Sequence, residues 1–196
     1  IADVGTYQAL VSEADILLSI LVPAQATQAA QAVAKAMAET KTELIYVDCN
    51  AVAPQTACQI GEIIMGSGGR FVDVGIIGSP PGKGGSTYFY ASGPHVKDFE
   101  ALSHFGLKVI ALGDQIGQAS AMKMCYAALT KGMVALCTEL FTAAEILGVS
   151  RALKERVQSG AQFIFYERME QELPRMPEKS RRWIGEMEEI AKTFEH

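Results

Sequence analysis

The sequence predicts an α/β protein in which a parallel, doubly wound sheet is followed by an all-helical domain. Segments typical of buried strands alternate with segments typical of helices as far as Gly113, and this alternation is the pattern of a parallel sheet. From Ile116 onward the periodicity is helical only. The sequence therefore predicts one domain over residues 1–113 and a second over residues 114–196, with a long buried helix at 116–147 between them.

The elements of the first domain follow from short apolar runs and the helical segments between them. Strands are predicted at Asp15–Val22, Glu43–Asp48, Phe71–Ile77, Thr87–Ala91 and Leu107–Leu112. Helices are predicted at Gln25–Ala38, Pro54–Met65 and Pro94–Phe105. The first two strands and the alanine-rich helix between them form a βαβ unit, and a proline suits the first turn of the last helix.

Composition points to a globular protein that acts on small molecules. The 196 residues are 49% hydrophobic and 20% charged, which is ordinary for a packed core. Seventeen basic and 22 acidic residues give a net charge of −5 without any basic run, so a nucleic-acid or anionic-membrane surface is not expected. The longest apolar run is too short and too interrupted for us to expect a membrane span.

The cysteines and histidines indicate neither disulfides nor a metal site. The four cysteines lie in apolar segments without C-x-x-C spacing, at positions 49, 58, 125 and 137. Reduced core thiols in a cytoplasmic protein fit this pattern best. The three histidines show no ligand spacing.

Lys123 is the first charge in the long apolar segment of the second domain. Only three charged residues follow it there, Lys131, Glu139 and Glu145. An ammonium group in such surroundings must find partners or lose its proton, which makes Lys123 a candidate acid–base group. Alternatively, its stem packs against the core while its head reaches water.

Two neighbours of Lys123 on the same helix differ in position. Tyr126 follows at i+3 and shares the face of Lys123, where it could hydrogen-bond a substrate or cap the pocket. Lys131 lies further along the helix and about 80° around it. We therefore expect Lys131 to lie outside the site.

Two glycine-rich stretches do not fit nucleotide-binding loops. Lys83, within the Gly82–Thr87 stretch, is not followed by Ser or Thr, and the next segment is strand-like, so no helix N-terminus is available for a phosphate. The Gly66–Gly69 stretch leads from a helix into a strand, the reverse of a dinucleotide fingerprint. The chain has no G-x-G-x-x-G and begins at Ile1 within a connection. We therefore expect that the first βαβ of the sheet domain is missing from it.

Four motifs occur in a characteristic order. They are Val22-Pro23 after a strand, Asp48 to Pro54 after the next strand, Phe71 to Thr87 with its glycines, and Gly117 to Lys123. In this order they resemble the β-hydroxyacid dehydrogenase family, which includes 6-phosphogluconate dehydrogenase and 3-hydroxyisobutyrate dehydrogenase. The resemblance covers nearly the whole chain.

The resemblance implies a function and a set of site residues. It implies a Rossmann-type sheet domain, NAD or NADP as cofactor, a small hydroxy acid as substrate and Lys123 as general acid–base. It implies cofactor contacts from Val22, Pro23, Thr27, Asn50 and Ala51, and substrate contacts from Gly78, Ser79 and Tyr126. Strand ends of open parallel sheets converge on one crevice, and glycines at 78, 82, 84 and 85 would let backbone amides approach an anion. A long turn with incidental glycines is the alternative.

The sequence departs from the family at three positions. Ile77 stands where the family has a serine, and Tyr126 stands where it has an asparagine. The segment from Glu186 to Ala191 resembles the region of the family's Lys-Asp pair, with glutamate in place of the lysine. Together with the runs Ala119 to Met124 and Arg181 to Met187, this segment resembles a less characterised, phosphogluconate-dehydrogenase-like branch. The tyrosine at position 126 implies a different substrate.

Two other functions remain open. A desolvated lysine also serves Schiff-base lyases and aldolases, so Lys123 could act in that chemistry. The chain could also be a non-catalytic binding or scaffold protein. The apolar helix at 116–147 further predicts a homodimer through the helical domain.

Overall fold

Five strands form one mixed sheet in the computed structural model, which describes residues 3–79 and 85–195. The strands are β1 (Ile16–Ser19), β2 (Ile45–Asp48), β3 (Arg70–Gly78), β4 (Thr87–Ser92) and β5 (Lys108–Gly113). They lie in the order β1-β2-β3-β4-β5. All five predicted strands are present, with shorter ends at β1.

Helices lie between and after the strands. They are α1 (Tyr7–Glu13), α2 (Pro23–Thr40), α3 (Pro54–Gly66), α4 (Val96–Glu100), α5 (Gln118–Ile146), α6 (Ser150–Gln158), α7 (Phe163–Glu172) and α8 (Met176–Thr193), with 3-10 turns at Ala101–Phe105 and Leu173–Arg175. Helix α1 was not predicted, because its segment had been interpreted as a connection. Its N-cap is Thr6, whose hydroxyl accepts a hydrogen bond from the Ala9 amide at 3.2 Å.

The prediction of a purely parallel sheet is wrong at one pairing. Strands β1, β2 and β3 are parallel, β3 and β4 are antiparallel, and β4 and β5 are parallel. The reason is the connection at 79–86, which is too short for the crossover that a parallel pair requires. The predicted α/β class is confirmed, with β3 and β4 forming a hairpin within it.

Hydrophobic side chains cover both faces of the sheet. On one face Leu17, Tyr46 and Phe71 pack with residues of α1, α2 and α3. On the other face Val47, Val72, Val74 and Phe99 of α4 form a second cluster. Helices on both faces are the doubly wound arrangement that the sequence predicts.

Tertiary contacts divide the described chain into two units. The first unit runs to Cys125 and includes the C-terminal segment from Gly185 onward, and the second unit is Tyr126–Ile184. Val134, Cys137 and Met169 form the core of the second unit, against which Trp183 packs. The domain boundary predicted between residues 113 and 114 remains a prediction.

Helix α5 is less buried within one chain than the sequence suggests. Leu129 and Leu136 are 59% and 63% exposed, so the expected burial on most sides is not met by this chain alone. By length and composition α5 could also cross a membrane, which contradicts the expectation that the longest apolar run is too short and too interrupted to do so. One such helix is weak support for a membrane segment, because interior helices pass the same test.

Candidate functional site

A row of four buried polar side chains crosses the sheet where β1 and β2 end. Ser19 lies opposite Asp48, Asp48 opposite Asp73, and Asp73 opposite Ser92. Directly opposite residues point to the same face of a sheet, and each of the four is at most 5% exposed. We call Ser19, Asp48, Asp73 and Ser92 the polar row.

Asn50 holds the first half of the polar row. Its Nδ2 group donates to the Ser19 hydroxyl at 3.0 Å and to Asp48 Oδ1, while its Oδ1 accepts from the Leu21 amide at 2.6 Å. Asn50 is only 2% exposed. Its amide therefore ties the carboxyl ends of β1 and β2 together and is bonded at both ends within the protein.

Asp73 holds the second half. Its Oδ2 accepts from the amides of Gly117 at 2.9 Å and Ser120 at 3.0 Å, and from the Ser92 hydroxyl at 3.2 Å. Its Oδ1 accepts from the Ser120 hydroxyl at 2.7 Å. The Ser92 oxygen accepts in turn from the Ala119 amide at 3.0 Å. Strands β3 and β4 are thus bonded directly to the start of α5.

The two carboxyl groups of the polar row have unusual electrostatics. Burial raises the pKa of Asp48 to about 7; the Asn50 hydrogen bond and the Lys123 charge oppose this rise, and Asp73 adds to it. Burial also raises the pKa of Asp73, against the hydrogen bonds from Ser120, Gly117 and Ser92. Asp48 Oδ2 is buried and meets no hydrogen-bond donor among the described residues. Asp48 is therefore the less satisfied member of the pair.

The Lys123 side chain projects from α5 near these carboxyl groups. A Cβ atom built on Gly75 would lie 3.0 Å from the Lys123 Cβ and 2.9 Å from the Ala119 carbonyl oxygen. Gly75 is two residues beyond Asp73, whose partner Asp48 is the last residue of β2. The base of Lys123 therefore lies just past the carboxyl end of β2, and its side chain is half-buried there.

The predicted substrate loop is only partly described. Gly78 ends β3 with φ of 145°, and a Cβ atom there would lie 2.3 Å from the Ser86 carbonyl oxygen, so only glycine fits. The Thr87 hydroxyl donates to the Ser79 carbonyl oxygen at 2.5 Å. Residues 80–84 lie outside the described residues, and with them the glycines at 82 and 84.

The predicted cofactor residues lie at the starts of two helices. Val22 is 47% exposed and precedes Pro23, the first residue of α2. Thr27 is half-buried one turn further along, on the face of Pro23. Ala51 is half-buried in the connection from β2 to α3. No side chain of the described chain caps α2.

At the start of α3, by contrast, a carboxylate from another helix accepts hydrogen bonds, and the sequence did not predict this contact. Glu189 of α8 accepts from the Ala53 amide at 2.6 Å and from the Thr56 hydroxyl at 2.8 Å. The Lys192 ammonium donates to the same hydroxyl at 2.8 Å. Glu189 is one of several glutamates in its segment, and no local sequence pattern indicates its partner.

Two further predicted residues belong to the second unit. Tyr126 lies one turn after Lys123 on α5 and is 44% exposed. The Lys131 ammonium lies 5.8 Å from the centre of the Trp183 ring, so it is engaged within the second unit. In the parts of the chain that the structure describes, no three metal-binding side chains cluster.

The C-terminal part of the chain matches a known family. A family described as a domain of unknown function, DUF1932, matches residues 144–196. An uncharacterized 28.5 kDa protein in the 7S RNA 5′ region of Methanothermus fervidus is 31% identical over 160 residues. That alignment covers 81% of this chain and 60% of the relative.

Two solved structures are similar over most of the chain. The conserved protein MTH1747, of unknown function but with structural similarity to 3-hydroxyacid dehydrogenases, is 31% identical with a TM-score of 0.70. A conserved hypothetical protein from Sinorhizobium meliloti is 27% identical with a TM-score of 0.71. The alignments cover 92% and 96% of this chain, but 67% and 62% of those proteins. The chain thus spans about two thirds of their length.

More distant structures share the fold. A 3-hydroxyisobutyrate dehydrogenase from Salmonella typhimurium is 19% identical, with a TM-score of 0.61 over 86% of this chain and 61% of its own. An imine reductase from Myxococcus stipitatus in complex with NAD+ is 18% identical, with a TM-score of 0.56 over 85% of this chain and 61% of its own. A reductive aminase from Aspergillus terreus in complex with NADPH is 17% identical, with a TM-score of 0.54 over 90% and 60%.

Proposed function

The chain belongs to a family of 3-hydroxyacid dehydrogenase-like proteins, and on this premise we propose that it forms part of an NAD(P)-dependent oxidoreductase. Lys123 is its acid–base group. The observation that carries the proposal is the place of Lys123, half-buried just past the carboxyl end of β2. Ligands of open α/β sheets bind outside the carboxyl ends of the strands.

Of the two helix starts at this edge, the start of α2 is open to an anionic group of the cofactor, whereas the start of α3 is not. The first turn of α2 contains no acidic residue, and Val22 beside it is exposed. Helix α3 already has Glu189 at its N-terminus, which disfavours a second anion there. We therefore assign Val22, Pro23 and Thr27 to direct cofactor contact, and Ala51 through its backbone.

Asn50 supports the same site structurally rather than by contacting the cofactor with its side chain. Because both ends of its amide are bonded inside the protein, it holds the Leu21 backbone in place rather than offering a free side chain. A nicotinamide cofactor, when bound, would supply or accept the hydride. Asn50 keeps the ends of β1 and β2 at a fixed separation beneath the cofactor.

Lys123 would handle the proton. In oxidation it takes the hydroxyl proton of the substrate, and in reduction its ammonium group donates a proton to the carbonyl oxygen. Gly78, Ser79 and Tyr126 are proposed as substrate contacts, with a small hydroxy acid as the substrate. Tyr126, in place of the family asparagine, would change which hydroxy acid is accepted.

The test is turnover by the full-length protein with NAD and with NADP. A panel of hydroxy acids is compared with a panel of imines, since imine reductases share the fold. Turnover of hydroxy acids that requires Lys123 supports the proposal. Turnover of imines alone contradicts the hydroxy acid assignment, and absence of both turnover and cofactor binding favours a scaffold protein.

Schiff-base chemistry at Lys123 is the second candidate, because a half-buried lysine serves it as well. Borohydride with a carbonyl substrate would then fix the substrate covalently on Lys123. Mass spectrometry that finds no such adduct contradicts this alternative.

A homodimer and a cytoplasmic location complete the proposal. An exposed apolar stripe on α5 supports self-association, formed by Leu129, Leu136 and Leu140. These residues are spaced by about two turns and one turn of helix. All four cysteines are free thiols, as suits a reducing compartment.

A further inference from the structure

The first turn of α5 is built on the carboxyl group of Asp73. Helix N-termini leave backbone amides without helical partners, and two of these amides, from Gly117 and Ser120, donate to Asp73 Oδ2. The Ser120 hydroxyl adds a bond to Oδ1 at 2.7 Å. This cap comes from a strand residue 44 positions before Gly117 rather than from the helix itself. These hydrogen bonds therefore fix the start of α5 to β3.

The same strand meets α5 again at the base of Lys123. Gly75 shares the sheet face of Asp73 because it lies two residues further on. Its missing side chain lets the Lys123 Cβ approach, since an added Cβ would lie only 3.0 Å away. Ser120, bonded to Asp73, lies one helical turn before Lys123. Two successive contacts with β3 thus fix the position and rotation of the turn that carries Lys123.

We infer that Asp73 is a positioning residue for Lys123. It acts through the first turn of α5 and is not an acid–base group, because both of its oxygens already accept hydrogen bonds from within the protein. The catalytic consequence rests on the proposed function. The dependence of the Lys123 position on Asp73 does not rest on the proposed function, and separate experiments test the two.

The positional consequence is tested by the chemical reactivity of Lys123. Full-length protein is methylated with formaldehyde and cyanoborohydride, and the labelling rate of each lysine is measured by peptide mass spectrometry. Lys35, whose side chain is 78% exposed, is the internal reference. In Asp73→Asn the rate ratio of Lys123 to Lys35 should rise by about threefold or more, because a loosened first turn exposes the amine. An unchanged ratio in folded Asp73→Asn would overturn the inference.

Two further variants keep the test decisive. Glu189→Gln weakens the carboxylate cap of another helix in the same unit, α3, and should leave the ratio unchanged. An equal rise there would mean general loosening and would overturn the inference. Should Asp73→Asn fail to fold, Ser120→Ala removes only the hydroxyl bond to Asp73. It should raise the ratio by a smaller factor, and no rise would again count against Asp73.

Turnover then tests the catalytic consequence. Misplacing a reacting group by about 1 Å can cost on the order of a hundredfold, so Asp73→Asn should lower kcat by about tenfold to a hundredfold with the cofactor Kd unchanged. If the labelling ratio changes in Asp73→Asn but kcat is unchanged in Lys123→Met, Lys123 is not the acid–base group. Its position would still depend on Asp73. An unchanged labelling ratio with active enzyme would refute the positioning role alone.

Discussion

Asp48 and Asp73 lie directly opposite each other on parallel strands, both fully buried, and they differ in their hydrogen bonds. Four groups donate to Asp73, whereas Asn50 is the donor to Asp48. Two neighbouring buried carboxyl groups resist being ionised together. The proton is therefore held more firmly by Asp48, which has fewer donors to stabilise its anion.

The stability of the protein should consequently fall as pH rises from about 4 to about 7. The folded state holds the Asp48 proton up to a pKa of about 7, whereas the ordinary value is 3.8. The stabilisation from this proton is complete below the lower value and is lost as pH passes the higher one. Relative to Asp48→Asn, the wild type should lose at most about 4 kcal/mol over this range. Urea unfolding of both proteins at several pH values measures the loss.

Asp48→Asn suits this comparison because an amide oxygen can still accept the bond from Asn50. A difference between the two proteins that does not vary with pH would show that Asp48 is already ionised near pH 4.

Replacement of Lys123 should abolish most of the activity and leave the fold intact. Lys123→Met keeps the volume and removes the titrating group, and removing a half-buried charge does not weaken packing. General acid–base catalysis contributes about 10²–10⁴-fold, so kcat of the full-length protein should fall at least on the order of a hundredfold. The cofactor Kd should stay nearly the same.

Lys131→Met is the matched control on the same helix. Its ammonium group lies over the Trp183 ring, so its loss should affect the second unit and spare most of the turnover. Equal losses of activity in both variants, or unfolding of Lys123→Met, would make Lys123 a structural residue.

Gly75→Ala should destabilise the protein by about 1–3 kcal/mol. The new methyl group would meet the Ala119 carbonyl and the Lys123 Cβ at 2.9 and 3.0 Å, and neither is the end of a flexible side chain. Thermal unfolding with parallel activity measurements should show both stability and kcat reduced. Gly66→Ala, in α3, meets nothing within 4 Å and should be neutral or slightly stabilising. Equal behaviour of the two variants would contradict close packing at Gly75.

Glu189→Ala should cost about 1 kcal/mol, as the loss of a helix cap does. It leaves the Ala53 amide and the Thr56 hydroxyl without their acceptor. Denaturant unfolding measures the change. Glu188→Ala, at an exposed position next to it, should change stability by less than about 0.5 kcal/mol. If Glu189→Ala left the free energy of unfolding unchanged, water would fully replace the carboxylate.

The protein should be a homodimer at micromolar concentration. Leu136, 63% exposed, is the central residue of the apolar stripe on α5, so Leu136→Asp should produce a monomer in light scattering. Phe105→Asp is the control, because Phe105 is 84% exposed outside α5. A wild-type monomer that binds no hydrophobic dye would rule out the dimer.

Local features of the sequence were sufficient for the five strands and for choosing Lys123 as the candidate residue, but not for helix α1. Strand and helix periods are short-range patterns, and an isolated lysine in an apolar helix is conspicuous. The antiparallel pairing of β4 could have been predicted from the short connection at 79–86. Asp73 also left a signal, since it is the one acidic residue in the apolar segment at 71–77.

The cap on α3 could not have been predicted in this way. Glu189 is one of several glutamates on α8, and its contact with Ala53 depends on the path of the chain over 136 residues. Likewise, the bonds of Asn50 to both strand ends appear only when the register of β1 and β2 is known. Local patterns therefore suffice to propose Lys123 as the reacting group, while the residues that support it required the tertiary structure.

The segment from Gly185 onward belongs to the first unit, and this constrains the order in which the unit can be completed during synthesis. Ribosomes deliver the sheet residues first, and α3 must wait for residue 189 before its N-terminus is closed. Until then the start of α3 in the nascent first unit lacks its carboxylate partner. A premature stop after residue 184 would release a chain whose first unit lacks Glu189 at the start of α3.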